Sequence, residues 1–113
     1  MVISKFDSNE NPKWEPDALA EVCFIKRTMA AKNGYRPHYK VNGNYLTTTH
    51  HWFIENGTAL PNIPTLAFIK FITPEAYPNC LSVGDVLEVG EGHIFIGYST
   101  IKELYNDELR VIS

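Results

Sequence analysis

The chain has four histidines, two cysteines and thirteen carboxylates with which to do acid–base, nucleophilic or metal chemistry. The densest grouping is His50-His51, followed by Trp52 and Phe53. Neighbouring residues on a strand point to opposite faces, so the two imidazoles cannot both hold one ion. The segment reads instead as an exposed aromatic rim suited to binding, or Trp52 plugs one end of the fold. Gly84-Asp85 has the chemistry of a turn, with no second acidic ligand at a suitable spacing. Cys23 and Cys80 sit in apolar contexts without metal-ligand spacing, and neither has a neighbouring histidine or basic residue in sequence to activate it. A glycine-rich phosphate loop and a nucleophile elbow are both missing. No catalytic residue, metal or cofactor is expected, and the protein is expected not to be an enzyme unless a triad is assembled across the fold.

The elements around these residues are short and extended. Residues 1–16 mix Asp7, Asn9, Asn11, Pro12 and Pro16 around isolated Phe6 and Trp14, the composition of a tail or wrapping arm. From Ala18 to Arg27, Ala20, Val22 and Phe24 recur at the period of a strand. Asn42-Gly43-Asn44 is a tight-turn signal that makes a hairpin of 39–41 and 45–49. Pro61 and Pro64 mark a loop, 65–72 alternates again, and strands resume at Val86 and at Ile94. Residues 100–109 read as a final strand extended by a short helical turn. These features predict an all-β fold, a small antiparallel barrel of about six strands over residues 17–113, with Val22, Phe24, Phe68, Val86, Leu87 and Ile96 in its core.

At 113 residues there is room for one domain and one modest core. The formal charge of −3 makes the surface as a whole repel phosphate backbones, so any nucleic-acid site must be a local exception. Neither DNA nor a membrane is an expected partner. The apolar stretches fall well short of the roughly 20 residues a spanning helix needs, and the N-terminus lacks the apolar run of a secretory signal. Cytoplasm with reduced thiols is the expected location.

Several short motifs occur in a particular order. Ala20 to Lys26 alternates, Gly34-Tyr35-Arg36-Pro37 follows, then Thr47-Thr48, Pro74, Gly84-Asp85, Val89 to Gly92 and Ile96-Gly97. In this order they resemble the third, C-terminal β-barrel domain of elongation factor Tu and related translation GTPases, over roughly residues 18–105. Residues 41–44 and 76–80 are longer than the corresponding family loops, a kind of insertion loops tolerate. The resemblance implies a barrel that elsewhere contacts the T-stem of aminoacyl-tRNA and packs against a GTPase domain. By position His38 and Glu91 fall on that tRNA surface, with His93, Ile94 and Phe95 adjacent. The family's arginine before the glutamate is Gly90 here, and the arginine three residues after it is Ile94, which removes two phosphate-binding cations. Arg36 is expected to be partly buried and to tie neighbouring strands together through its forked donors, with a binding role as the alternative.

The function expected is that of a non-catalytic binding module for a protein partner, a toxin or a translation factor. One concrete form is an acidic immunity protein that neutralises a toxin acting on tRNA or on translation, where charge complementarity speeds association. The alternative is an RNA-binding module with weak tRNA affinity, provided Lys26, Arg27, Lys32, Arg36 and Lys40 gather on one face. A third possibility is an accessory domain that docks on a translation GTPase or oligomerises through exposed strands. The binding residues to look for are Arg36, His38, His51, Trp52, Glu91, His93, Ile94 and Phe95.

Overall fold

A computed structural model describes residues 14–43 and 45–112. Most of the arm expected at 1–16, and Asn44 of the tight turn, therefore lie outside the described residues. Eight strands form: β1 (Ala18–Phe24), β2 (Ala31–Lys32), β3 (His38–Val41), β4 (Tyr45–Phe53), β5 (Thr58–Ala59), β6 (Thr65–Phe71), β7 (Val86–Glu91) and β8 (Ile94–Leu104). Six of them close an antiparallel barrel in the order β1-β6-β4-β3-β7-β8, and β2 pairs with β5 in a separate ribbon. The all-β barrel of about six strands predicted from the sequence is the fold found. Pro74–Ala76 and Asp107–Leu109 are single 3₁₀ turns, the second supplying the helical turn expected after the last strand.

The period-two pattern explains the layering. Ala18, Ala20, Val22 and Phe24 of β1, Phe53 of β4 and Ala67, Ile69 and Phe71 of β6 point into the barrel and are buried. The small residues of β1 and β6 let the strands curve tightly while larger rings fill the space opposite. Phe24 meets Tyr35 and Phe53 edge-on at 5.4 and 6.2 Å between centroids, within the range of favourable T-shaped pairs. Where β8 crosses β1, Phe24 pairs with Gly97, and a Cβ on that glycine would lie 2.1 Å from the Cys23 carbonyl oxygen. Only glycine fits that crossing.

Asp17 sews the barrel's seam. Its buried carboxylate accepts the Phe71 amide at 2.7 Å and the Asn106 side-chain amide at 3.0 Å, while its carbonyl accepts the Tyr105 amide. One short residue thus joins the entry of β1, the end of β6 and the exit of β8. Tyr77 closes one end of the barrel: it is buried, its ring meets Phe71, and its hydroxyl is 2.6 Å from Thr47 Oγ1.

Three expectations about placement are corrected. Val86 is 60% exposed on the outer face, whereas Val22, Phe24, Phe68 and Ile96 are buried and the half-buried Leu87 packs against the core. Reading strand periodicity backward from Gly90 does not tell which face of β7 turns inward, and Val89 is the core residue. His51 is not on an exposed rim. β4 runs through it to Phe53, so Thr47, Thr49, His51 and Phe53 face in while His50 and Trp52 face out. The plug at the barrel end is Tyr77 rather than Trp52.

Candidate functional site

The residues expected to act together separate into three places. On the outer face of β3, β7 and β8, His38, Ile94, Phe95 and His93 line one open groove of about 230 Å³ together with Lys40 and Leu46. Register explains the gathering. His38 lies opposite Gly90 across β3–β7, and Gly90 lies opposite Phe95 across β7–β8. Gly92, with φ of 58°, turns the chain between the last two strands, so His93 sits at the hairpin tip.

Gly90 matters because of His38. The imidazole lies over the glycine, and a Cβ there would be 2.8 Å from His38 Cε1 and 3.0 Å from the Ile94 carbonyl oxygen. A side chain at 90 and this position of the ring are mutually exclusive. His38 Nε2 donates to the Gly92 carbonyl at 2.7 Å, so the ring pins β3 to the hairpin turn. His38 is thus half-buried and committed to the hairpin, whereas Ile94 is 65% exposed.

The groove opens onto a wider surface. Leu46 pairs with Lys40, whose ammonium is 3.4 Å from Glu88, and Glu88 pairs with Tyr98. The Tyr98 ring meets Phe95 at 5.1 Å, edge to face. Leu46, Ile94 and Tyr98 are all more than two-fifths exposed. Sequence reading missed Leu46, Glu88 and Tyr98; their strand parity, once Val89 and Tyr39 are known to face inward, is the signal that finds them.

Glu91 belongs to a second place. Its carboxylate accepts from Arg27 Nη1 at 2.5 Å and from the Tyr35 hydroxyl. Arg27 also donates to the carbonyls of Met29 and Ala30, and its guanidinium lies 4.7 Å from the Tyr35 ring centroid. Burial, then the hydrogen bond to Glu91, pushes the Tyr35 phenol well above its ordinary value. The arginine that ties segments together is therefore Arg27. Arg36 corrects the expectation: it is exposed and forms no ion pair with another described residue.

His51 occupies a third place, inside the barrel and wholly buried. Thr49 Oγ1 donates to the Pro37 carbonyl at 2.8 Å, so its remaining role toward His51 Nδ1, 3.5 Å away, is to accept. That leaves Nε2 to accept from the Tyr39 hydroxyl at 2.7 Å. Burial pushes the imidazole down to about 3 and raises the Tyr39 phenol, so both are neutral near pH 7. Trp52 lies on the outer face opposite Phe68.

Among the described residues no three His, Cys, Asp or Glu side chains stand close enough to hold a metal. Both cysteines are free thiols, and burial, followed by Asp85, pushes Cys80 up, the reverse of an activated nucleophile. No helix among the described residues is long and apolar enough to cross a membrane. A scan against protein-family models matches none, and a search of curated proteins finds no match.

Proposed function

We propose that this chain is a non-catalytic module that binds a protein partner through the outer face of β3, β4, β7 and β8. The observation that carries this reading is the run of exposed Leu46, Ile94 and Tyr98, with Phe95 beside them, around the Lys40–Glu88 pair. Exposed aliphatic and aromatic side chains flanking a charged pair supply what protein interfaces use, a few large side chains that carry most of the energy once desolvated. Of the residues that the likeness to the elongation factor Tu C-terminal barrel nominates, His38, His93, Ile94 and Phe95 line this face and Glu91 does not, and that likeness remains part of the proposal.

Electrostatics favour protein over RNA. Of the five cations clustered in the first third of the sequence, Arg27 is taken by Glu91 and Lys40 by Glu88, and Arg36 lines a different groove. With a formal charge of −3, the partner that gains most from long-range attraction is a basic protein. An immunity protein for a basic toxin, acting in the cytoplasm around tRNA or translation, is the concrete form of this reading.

The test pairs two measurements. Total tRNA at about 150 mM salt should bind weakly and with steep salt dependence. Ile94→Glu combined with Leu46→Glu should leave the melting temperature nearly unchanged while abolishing capture of the native partner from lysate. Submicromolar tRNA affinity, or unchanged capture by the double variant, would overturn the reading.

A further inference from the structure

Whereas the first groove balances Lys40 against Glu88, a second concavity, of about 190 Å³, lies where β4 meets β6 and is lined by two cations. His50 and Lys70 are cross-strand partners there, and Arg36 stands beside them with Thr48 and Ile72. Its lining contains no carboxylate, whereas the groove on β7 and β8 includes Glu88 and the neighbouring one includes Glu15, Asp17 and Asp107. Two permanent positive charges therefore converge with an imidazole on a protein whose net charge is negative.

Arg36 is uncommitted and Lys70 is only loosely held, while the His50 ring lies 5.1 Å from that of Trp14. Arg36 is exposed and enters no ion pair with another described residue. Lys70 reaches Asp17 only at 3.9 Å, beyond hydrogen-bond range, and that carboxylate oxygen already accepts the Phe71 amide at 2.7 Å. Arg36 is near enough to His50 to lower its proton affinity, after the larger effect of burial, so an anion between them would relieve that repulsion.

We propose that Arg36, His50 and Lys70 form a binding site for a single phosphate group carried by a small molecule. A guanidinium fork, an ammonium, an imidazole and the Thr48 hydroxyl offer more donors than the two oxygens of a carboxylate can use, and a phosphate presents three or four oxygens. Ile72, 64% exposed at the rim, gives the body of the ligand an apolar contact. A nucleic-acid strand fits less well. Lys70 also borders the acidic groove of Glu15, Asp17 and Asp107, so the next phosphate along a chain would meet carboxylates.

Inorganic phosphate titrated at constant ionic strength, followed by amide chemical shifts, is the direct probe. Saturable shifts should be confined to residues 36, 48–50 and 70–72. Arg36→Gln and Lys70→Gln should each weaken binding about tenfold, the effect of one charge-assisted hydrogen bond, with the fold intact by melting. Lys102→Gln, an exposed lysine elsewhere on β8, should change nothing. Non-saturating shifts spread over all lysines, or affinity unmoved by both substitutions, would overturn the site. A phosphoserine peptide or a short RNA binding the same amides more than about tenfold tighter than phosphate would overturn the small-molecule assignment.

Discussion

Inside the barrel one neutral imidazole sets a pH limit on the fold. Above pH 6.5, the ordinary histidine value, His51 is neutral folded or unfolded and stability does not depend on it. Below 6.5 the unfolded chain takes up a proton that the native barrel refuses until about pH 3. Stability should therefore fall as pH drops through this window, with a slope that steepens toward a limit of about 1.4 kcal/mol per unit from this residue alone. Urea unfolding at pH 6.5 and 5 should show that fall for the native chain and a smaller one for His51→Gln; equal falls would place the proton uptake elsewhere. The same residue shows what sequence alone leaves open. The alternation Thr47, Thr49, His51, Phe53 is visible in the chain, but a polar-rich strand does not declare which face is wet. The bond from Tyr39 that settles it joins residues on separate strands. Likewise Arg27 and Arg36 look alike in sequence, and only the approach of Glu91, 64 residues away, makes Arg27 the tie.

At the scale of strands, the sequence was most legible where hydrophobic alternation and turn chemistry agreed. β1, β3, β4, β6 and β7 lie where alternating residues and Asn-Gly, Gly-Asp or Pro signals put them, whereas the strand expected to resume at Ile94 and the final strand expected within 100–109 are one strand, β8. The two-residue strands β2 and β5 were missed because two residues carry no period, and they are fixed instead by neighbours such as Asn33, whose side chain accepts the Phe53 amide at 2.6 Å. The loop at 76–80 buries Tyr77 against Phe71 and Thr47, a long-range contact that no local pattern signals. Two substitutions test the packing. Phe24→Ala should cost roughly 3–5 kcal/mol, since the side chain is fully buried among rings that cannot all move in. Gly97→Ala should be at least as damaging, because its Cβ would meet rigid backbone of β1, whereas Gly90→Ala displaces mainly the His38 ring and should cost only about 1–3 kcal/mol. Denaturant midpoints giving the opposite order of the two glycines would contradict the crossing geometry.

As a whole molecule the described residues form a closed barrel with a two-stranded ribbon beside it, and the face of β3, β4, β7 and β8 sets exposed apolar side chains beside an ion pair on a chain of negative net charge. The candidate site was half legible: His38, His93, Ile94 and Phe95 converge as their positions suggested, while Glu91, Arg36 and His51 are drawn off by an internal ion pair, a separate cationic pocket and the core. Along β4 alternation turns His51 inward and its neighbours His50 and Trp52 outward, so a stretch that reads as one motif serves two surfaces. The central claim is that the Leu46–Ile94–Tyr98 face docks a protein. Site-specific photocrosslinking in cells tests it most directly, with a photoreactive residue placed in turn at Leu46, Ile94, Ile63 and Lys102, all exposed. One discrete protein adduct shared by positions 46 and 94, resistant to ribonuclease and missing at 63 and 102, is the result expected. Adducts at 46 and 94 that vanish with ribonuclease, or a discrete protein adduct only at 63 or 102, would contradict it.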